Sequence, residues 1–458
     1  MTALEEHINQ VKKKEIDIVD YTKRALKEAK KINKEYNYFN TISEELALEC
    51  AKKVAKNPKG KLAGVLVSVK DCICVKDVES TAGSAILKGY KPVFNSTVAQ
   101  KIMEEGGIII GKTSQDAFGF GGMNLNVGKG FSIPKNPFDK NRVCGGSSGG
   151  SAGFTQKFNF AHISIAESTG GSIVNPASFC GVYGLSPTYG LVSRYGLIDY
   201  ANSLDKIGVM AKEIEDVQLG LSVIEGYDEK DQTSLKIPRL KDSKIKTVGI
   251  IKESLDVDKE VKQQFKSAIE KLKYEIKEVS LPFVREFGLA SYYTIALAEA
   301  STNLARYCGM RYGAEEKIKG DYNSYFTNIR SKNFDTETKR RLMIGTFVRQ
   351  AGYRDAYYLK AQKVRTQIIQ EYKKTLDTVD ILITPTMPIL APTFPEAKKL
   401  TPLKQFMMDF LTVGPNLAGL PHLNIPIGFS RKNPVGLLAI TNHLNEEKLF
   451  TFSNELKK

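Results

Sequence analysis

Histidine is scarce in this chain: 458 residues contain four, His7, His162, His422 and His443. None stands in an H-x-x-x-H frame or at a His–carboxylate spacing, which argues against a metal hydrolase. The plainer reading of each is a core or surface ring. Cysteine is also thin, with six residues irregularly spaced at 50, 72, 74, 144, 180 and 308. The C-x-C pair of Cys72 and Cys74 has no second pair at metal-ligand distance, so no zinc or other metal site is expected. No run approaches the roughly 18 apolar residues that a membrane span needs. The opening "MTALEEHINQVKKK" has no apolar h-region. Reduced thiols without an export signal lead to the expectation of a cytoplasmic protein.

What is present is a globular composition, 42% hydrophobic and 26% charged, with enough chain to bury a large core. Lys and Arg exceed Asp and Glu by 66 to 51, a formal charge of +15. Such a balance fits an RNA-bearing partner, because neutralising phosphates drives nucleic-acid affinity. It fits a lysine-rich proteome equally well. The basic residues are spread along helical segments and form no RGG, zinc-knuckle or RNP-like block.

Hydrophobic spacing predicts amphipathic helices over 2–12 and 17–35; in the second, Ile18, Tyr21, Ala25, Ala29 and Ile32 share one face. Ser43, Glu44 and Glu45 open a third helix that runs to about Lys56. The valine-rich "AGVLVSVKD" (63–71) then reads as a buried strand that delivers Lys70 and Asp71 at its end. A helix over "STVAQKIMEEGG" and a strand over "IIIGKTS" follow. This alternation predicts an α/β fold with helices on both sheet faces. Further strands are expected at "FAHISIAES", "KTVGIIK", "VDILITPTMP" and "VGLLAITNH", with a helix over 257–273 and a mainly helical part over 286–378. With no internal repeat and no linker, the expectation is one domain over 1–458. It would comprise N-terminal helices (1–60), a core carrying the loops (61–250) and the helical part packed on the sheet.

The stretch 118–205 is crowded with Gly, Ser, Asn and Pro, including "CGGSSGGSAGF" and "STGGSIVNPASFCG". Glycine-rich loops of this length are costly in chain entropy and tend to be functional. They lack the G-x-x-x-x-G-K-[ST] frame, so they do not indicate ATP. Serine is a poor nucleophile unless a base removes its proton. A lysine serves as that base only when neutral, and burial of a strand end under such loops favours neutrality. Unencumbered amides in "TGGS" could point together at a developing oxyanion.

Taken together, these segments resemble the amidase signature family, whose hallmark is a Ser–cis-Ser–Lys triad. "LAGVLVSVKD" is similar to its lysine strand, "NPFDKNRVCGGSSGGSAGF" to its signature core and "STGGSIVNPASFCGVYGLSPTYG" to its continuation. The resemblance implies a large mixed central sheet covered by helices. It implies Ser172 as nucleophile, Lys70 as base, and Ser147, rather than Ser148, as the bridging serine of the cis peptide. The oxyanion hole would be formed by the amides of Thr169, Gly170, Gly171 and Ser172. "RRLMIGTFVRQAGYRDAYYLKAQKVR" and "MMDFLTVGPNLAGLPHLNIPIGF" resemble the branch of glutamine-hydrolysing subunits of tRNA-dependent amidotransferases. By that resemblance Arg341 would take the α-carboxylate of glutamine, Asp409 its α-ammonium, and Tyr292 a further contact. The glutaminase chain itself would need no cofactor. A partner, the B-subunit, would use ATP and Mg²⁺ on Glu-tRNA(Gln) or Asp-tRNA(Asn), and a small C-subunit would clamp the two in a heterotrimer.

The sequence departs from the family pattern in places. The family usually reads S-D-T-G-G-S-I-R, where this chain has Glu167-Ser168-Thr169 and, after Ile173, Val174. A D-E-F stretch becomes Asp116-Ala117-Phe118. Two alternatives stay open: a free-standing amidase acting on small amides, and a scaffold that binds tRNA through its positive charge.

Overall fold

In the computed structural model, which describes residues 2–457, the strands run in chain order. They are β1 (Phe39–Ile42), β2 (Leu66–Lys70), β3 (Ile108–Thr113), β4 (His162–Ser168), β5 (Tyr183–Ser186) and β6 (Lys206–Ala211). There follow β7 (Thr247–Ile251), β8 (Glu275–Val279), β9 (Ile381–Pro385), β10 (His422–Ser430) and β11 (Asn433–Ile440). They join one sheet of order β1-β3-β2-β4-β6-β5-β10-β11-β9-β7-β8. β2 lies parallel to β3 and β4, and β7 is parallel to β8 and β9. All other pairings are antiparallel, so the sheet is mixed, as expected.

Local sequence explains the elements that flank it. The first helix, Ala3–Lys12, opens on a capping box of Thr2 and Glu5. The second, Ile18–Tyr36, is capped by Asp17 and buries Ile18, Ala25, Ala29 and Ile32. Helix Glu44–Lys56 packs on β3, and Ile214–Ile224 packs on β6. The valine-rich run before Lys70 is buried at every position of β2, as a strand with parallel neighbours on both sides must be.

Five strands fall outside the periodicity argument. β8, "EIKEV", sits exposed at the sheet edge, where charged residues suit an unpaired flank. β10 carries Pro426, and its register against β11 shifts between Pro426 and Gly428. β1, β5 and β6 are short, and β5 and β6 lie within or just beyond the Gly-rich stretch that reads as loop. The helical part comprises Pro282–Asn303, Tyr322–Asn333, Thr336–Arg349 and Lys360–Leu376, with the first packed against the last two. Among the described residues no helix is long and apolar enough to cross a membrane.

Candidate functional site

β2 ends on Lys70, whose side chain is 0% exposed. Its amine donates to Ser147 Oγ at 2.7 Å, to the Glu167 carbonyl at 2.9 Å and to Glu167 Oε2 at 2.8 Å. The Gly146–Ser147 peptide is cis. Of the two adjacent serines only Ser147 meets the amine; Ser148 Oγ donates instead to the Glu167 carbonyl at 3.1 Å. Asp116 holds this loop from behind, accepting the amides of Asn124 (2.9 Å) and Asn126 (2.8 Å). Its carboxylate lies so near Gly146 that an added Cβ would stand 2.2 Å from Oδ2, so only glycine fits before Ser147. Burial pushes the Asp116 carboxyl up to about 6, against the pull of those two amides.

Ser172 lies on the bend between β4 and the helix Val174–Cys180. It is 7% exposed, and among the described residues its hydroxyl has no hydrogen-bond partner. The amides of Gly170, Gly171 and Ser172 also have no partner among the described residues. Three free N–H groups on a tight bend are what an oxyanion needs. The two glycine-rich loops are joined directly: the Ser148 amide donates to the Ser172 carbonyl at 3.3 Å.

Of the three residues expected to read a substrate, Tyr292 and Asp409 reach this bend, and Arg341 lies against Tyr293, the partner of Asp409. Tyr292 brings its hydroxyl against Gly170, where an added Cβ would stand 2.7 Å from it. Asp409 accepts from Asn175 Nδ2 at 2.8 Å and from the Tyr293 hydroxyl at 2.6 Å. Asn175 lies on the helix that Ser172 introduces, which ties Asp409 to the nucleophile loop. Burial pushes the Asp409 carboxyl up, opposed by Tyr293, Arg341 and Asn175. Arg341 is buried on helix Thr336–Arg349. Its Nε donates to Glu337 Oε1 at 2.7 Å and its Nη1 to the Tyr200 hydroxyl at 2.9 Å. The guanidinium lies 5.3 Å from the Phe120 ring centre, 5.5 Å from that of Tyr293 and 5.4 Å from that of Phe406. A planar fork with one edge left over suits a carboxylate.

Thr169 is placed differently from its expected role as an oxyanion donor alone. Its hydroxyl contacts Glu167 Oε1 at 2.9 Å and Asp205 Oδ1 at 2.8 Å. Ser168 and Val174, which replace the family's charged pair, are fully buried, and among the described residues Ser168 Oγ has no hydrogen-bond partner. Sequence reasoning missed Glu167, Asp205, Tyr200, Tyr293 and Glu337. Only Glu167 carried a signal, as an acid at the position where the family pattern has Ser, one residue before the pattern's Asp.

The histidines stand apart from these groups. His162 Nε2 lies 2.9 Å from Ser68 Oγ, and burial lowers the ring to about 3, so it is a neutral core group. His7 meets the Gly64 carbonyl and His422 the Leu420 carbonyl. Among the described residues no group of three or more His, Cys, Asp or Glu is arranged to hold a metal ion.

The family model described as Amidase matches residues 20–450. The chain is 46% identical over 422 residues to the A-subunit of the glutamyl-tRNA(Gln) amidotransferase of Archaeoglobus fulgidus, covering 91% of each. It is 42% identical to the protein of the same name from Gloeothece citriformis, over 98% of this chain and 96% of the relative. Among solved structures, the A-subunit of the glutamyl-tRNA(Gln) amidotransferase of Thermotoga maritima superposes with a TM-score of 0.80 at 32% identity, covering 100% of this chain and 94% of that one. A chain from a vestigial protein complex tied to the evolutionary origins of an s-triazine catabolic enzyme superposes with a TM-score of 0.86 at 24% identity, over 100% of this chain and 98% of that one; it shares the fold.

Proposed function

The chain belongs to the amidase family, and on that premise we propose that it is the glutamine-hydrolysing subunit of a tRNA-dependent amidotransferase. The observation that carries the reading is a buried amine on Ser147 beside Ser172 and its three unpartnered amides, with Asp409 tied to that bend through Asn175 and Arg341 packed on Tyr293, which donates to Asp409.

Glutamine carries an α-carboxylate and an α-ammonium, and the site offers a buried guanidinium and a buried carboxylate to match. Ser172 Oγ turns toward Ser147, loses its proton along the path through Ser147 to Lys70, and attacks the side-chain amide carbon. The amides of Gly170, Gly171 and Ser172, joined by that of Thr169, stabilise the oxyanion. That arrangement contributes on the order of 10²–10³ in rate for each donor. The proton returns to the leaving nitrogen, ammonia departs, and water hydrolyses the γ-glutamyl ester on Ser172. Tyr292, against Gly170, closes the pocket over the scissile amide.

Ammonia then passes to a partner, the B-subunit, which binds the mischarged Glu-tRNA(Gln) or Asp-tRNA(Asn) and activates its carboxyl with ATP and Mg²⁺. A small C-subunit completes a heterotrimer. The relatives named for Glu-tRNA(Gln) amidation support this assignment.

The test is Ser172→Ala in the complex that co-purifies with this chain. Glutamine-dependent amidation should vanish, while amidation from added ammonia should survive. Loss of both activities would sink the division of labour. High turnover of simple amides by the isolated chain would favour a free-standing amidase instead.

A further inference from the structure

Glu167 is a buried carboxylate on Lys70 that the mechanism above leaves without a part. Lys70 Nζ has three acceptors, Ser147 Oγ, the Glu167 carbonyl and Glu167 Oε2, which match the three N–H bonds of an ammonium. A base that must be neutral thus rests in contact with the one group able to take its proton directly. The other Glu167 oxygen is engaged through Thr169, whose hydroxyl also reaches Asp205. One hydroxyl has one hydrogen, so it donates to only one of two carboxyls. The second contact is a hydrogen bond only if that carboxyl carries a proton itself. Asp205 fits the protonated member, since burial first and the Glu167 charge second hold its carboxyl well above the usual range. Its Oδ2 meanwhile accepts the amides of Tyr200 (2.9 Å) and Ala201 (3.0 Å). Oδ1 shares the Ala201 amide at 3.0 Å and is the oxygen that faces Thr169. Cys72 Sγ approaches Glu167 Oε2 at 3.9 Å from beyond β2. Asp116 faces Lys70 from the loop before Ser147, and the buried Lys112–Asp71 pair lies beyond Cys72.

We propose that Glu167 accepts the Lys70 proton, so that the working base is a Lys70–Glu167 pair backed by a protonated Asp205 through Thr169. This deepens the glutaminase reading and rests on it. As Ser172 Oγ bonds to the amide carbon, its proton moves to Ser147, that of Ser147 to Lys70 Nζ, and one from Nζ to Glu167 Oε2. Cleavage of the C–N bond draws the proton back along the same path to the leaving nitrogen. Water repeats the cycle on the ester and restores the Ser172 hydroxyl. The sum is glutamine and water giving glutamate and ammonia, with every proton returned and no further reactant. Because Glu167 acts through Lys70, it is a positioning and proton-holding residue rather than one that touches substrate.

Glu167→Gln in the purified complex, followed by ammonia release from glutamine across pH, tests this. The substitution keeps the size of the side chain and removes the proton acceptor. The expected result is a fall in kcat of about 10²-fold at every pH, with KM for glutamine little changed. If Glu167 is only a counter-ion, its removal frees Lys70 of its proton more easily. The maximal rate then persists and the acid limb moves to lower pH; that result, or an unchanged profile, overturns the proposal. Should Glu167→Gln not fold, Glu167→Asp decides: its withdrawn carboxylate predicts a lowered kcat, and a wild-type kcat overturns the idea. Ser172→Ala runs beside these variants. If wild type hydrolyses another amide but not glutamine, the glutamine reading fails, while Glu167 is still tested on that amide. If Ser172→Ala matches wild type on every amide, site and proposal fall together.

Discussion

Arg341 shows how one side chain is held ready before any substrate arrives. Glu337 and Tyr200 take two edges of the guanidinium and aromatic faces enclose it, so little rotamer freedom remains to be lost on binding. Arg341→Lys replaces the fork with a point charge that cannot serve Glu337, Tyr200 and a carboxylate together. Steady-state kinetics should show KM for glutamine raised by about 10-fold or more, roughly 1.4 kcal/mol, with kcat much less affected. Hydrolysis of a simple amide without an α-carboxylate should not change. Equal losses on both substrates would mean that Arg341 supports the fold rather than the substrate. Lys70, Ser147 and Ser172 could be singled out because three motifs, each of which alone reads as a strand end or a turn, together resemble one signature. Tyr200 and Tyr293 were not, because a lone tyrosine in sequence looks like packing. Glu167 was visible but read as a departure, since its relation to Lys70 exists only across the β2–β4 pairing.

At the level of elements, the substrate cradle depends on how closely two helices approach. Gly345, one turn beyond Arg341, is where an added Cβ would stand 1.9 Å from the backbone oxygen of Leu297 on helix Pro282–Asn303. Gly345→Ala must push the helices apart, at a cost of about 1–3 kcal/mol. Thermal unfolding should show that loss, and KM for glutamine should rise with it as Arg341 moves away from Asp409. A stable variant with unchanged KM would show that the helix pair does not set the cradle. β6 opens with a second element-level device, Lys206, whose amine is buried and donates to the Leu420 carbonyl at 3.0 Å. Burial lowers it to about 7. That lies below the unfolded lysine value, so between pH 7 and about 10.4 the unfolded chain binds the extra proton. Stability from this group therefore rises with pH across that window and is lost as pH falls to 7. Lys206→Met should raise the melting temperature near pH 7 and flatten its climb toward pH 10. The Leu420 carbonyl would keep its contact with His422 Nδ1 at 3.0 Å. A parallel pH dependence in both proteins would refute the assignment. Strands such as β5 and β6 escaped the sequence because short segments within or beside Gly-rich loops carry too few residues to show alternation.

Across the whole molecule, the site gathers a strand end, two loops, two long helices and the turn at Met407–Asp409 onto one sheet. The α/β class could be read from local alternation. The continuity of eleven strands could not, because it rests on pairings such as β5 with β10, where Ser186 meets His422 across a long stretch of chain. Partner choice of that kind leaves no local trace in the sequence. The single-domain reading predicts one calorimetric transition, since β5–β10 joins the two halves of the sheet; two resolved transitions would divide it.

The hydrogen bond from the Ser148 amide to the Ser172 carbonyl makes one hinge pin of two loops that are distant in the chain. Neither loop can swing away alone, so disorder in either displaces Ser147, the neighbour of Ser148, and Ser172 at once. The solvent-exchange rate of that one amide is thus a clock for how often the enzyme comes unassembled at its centre.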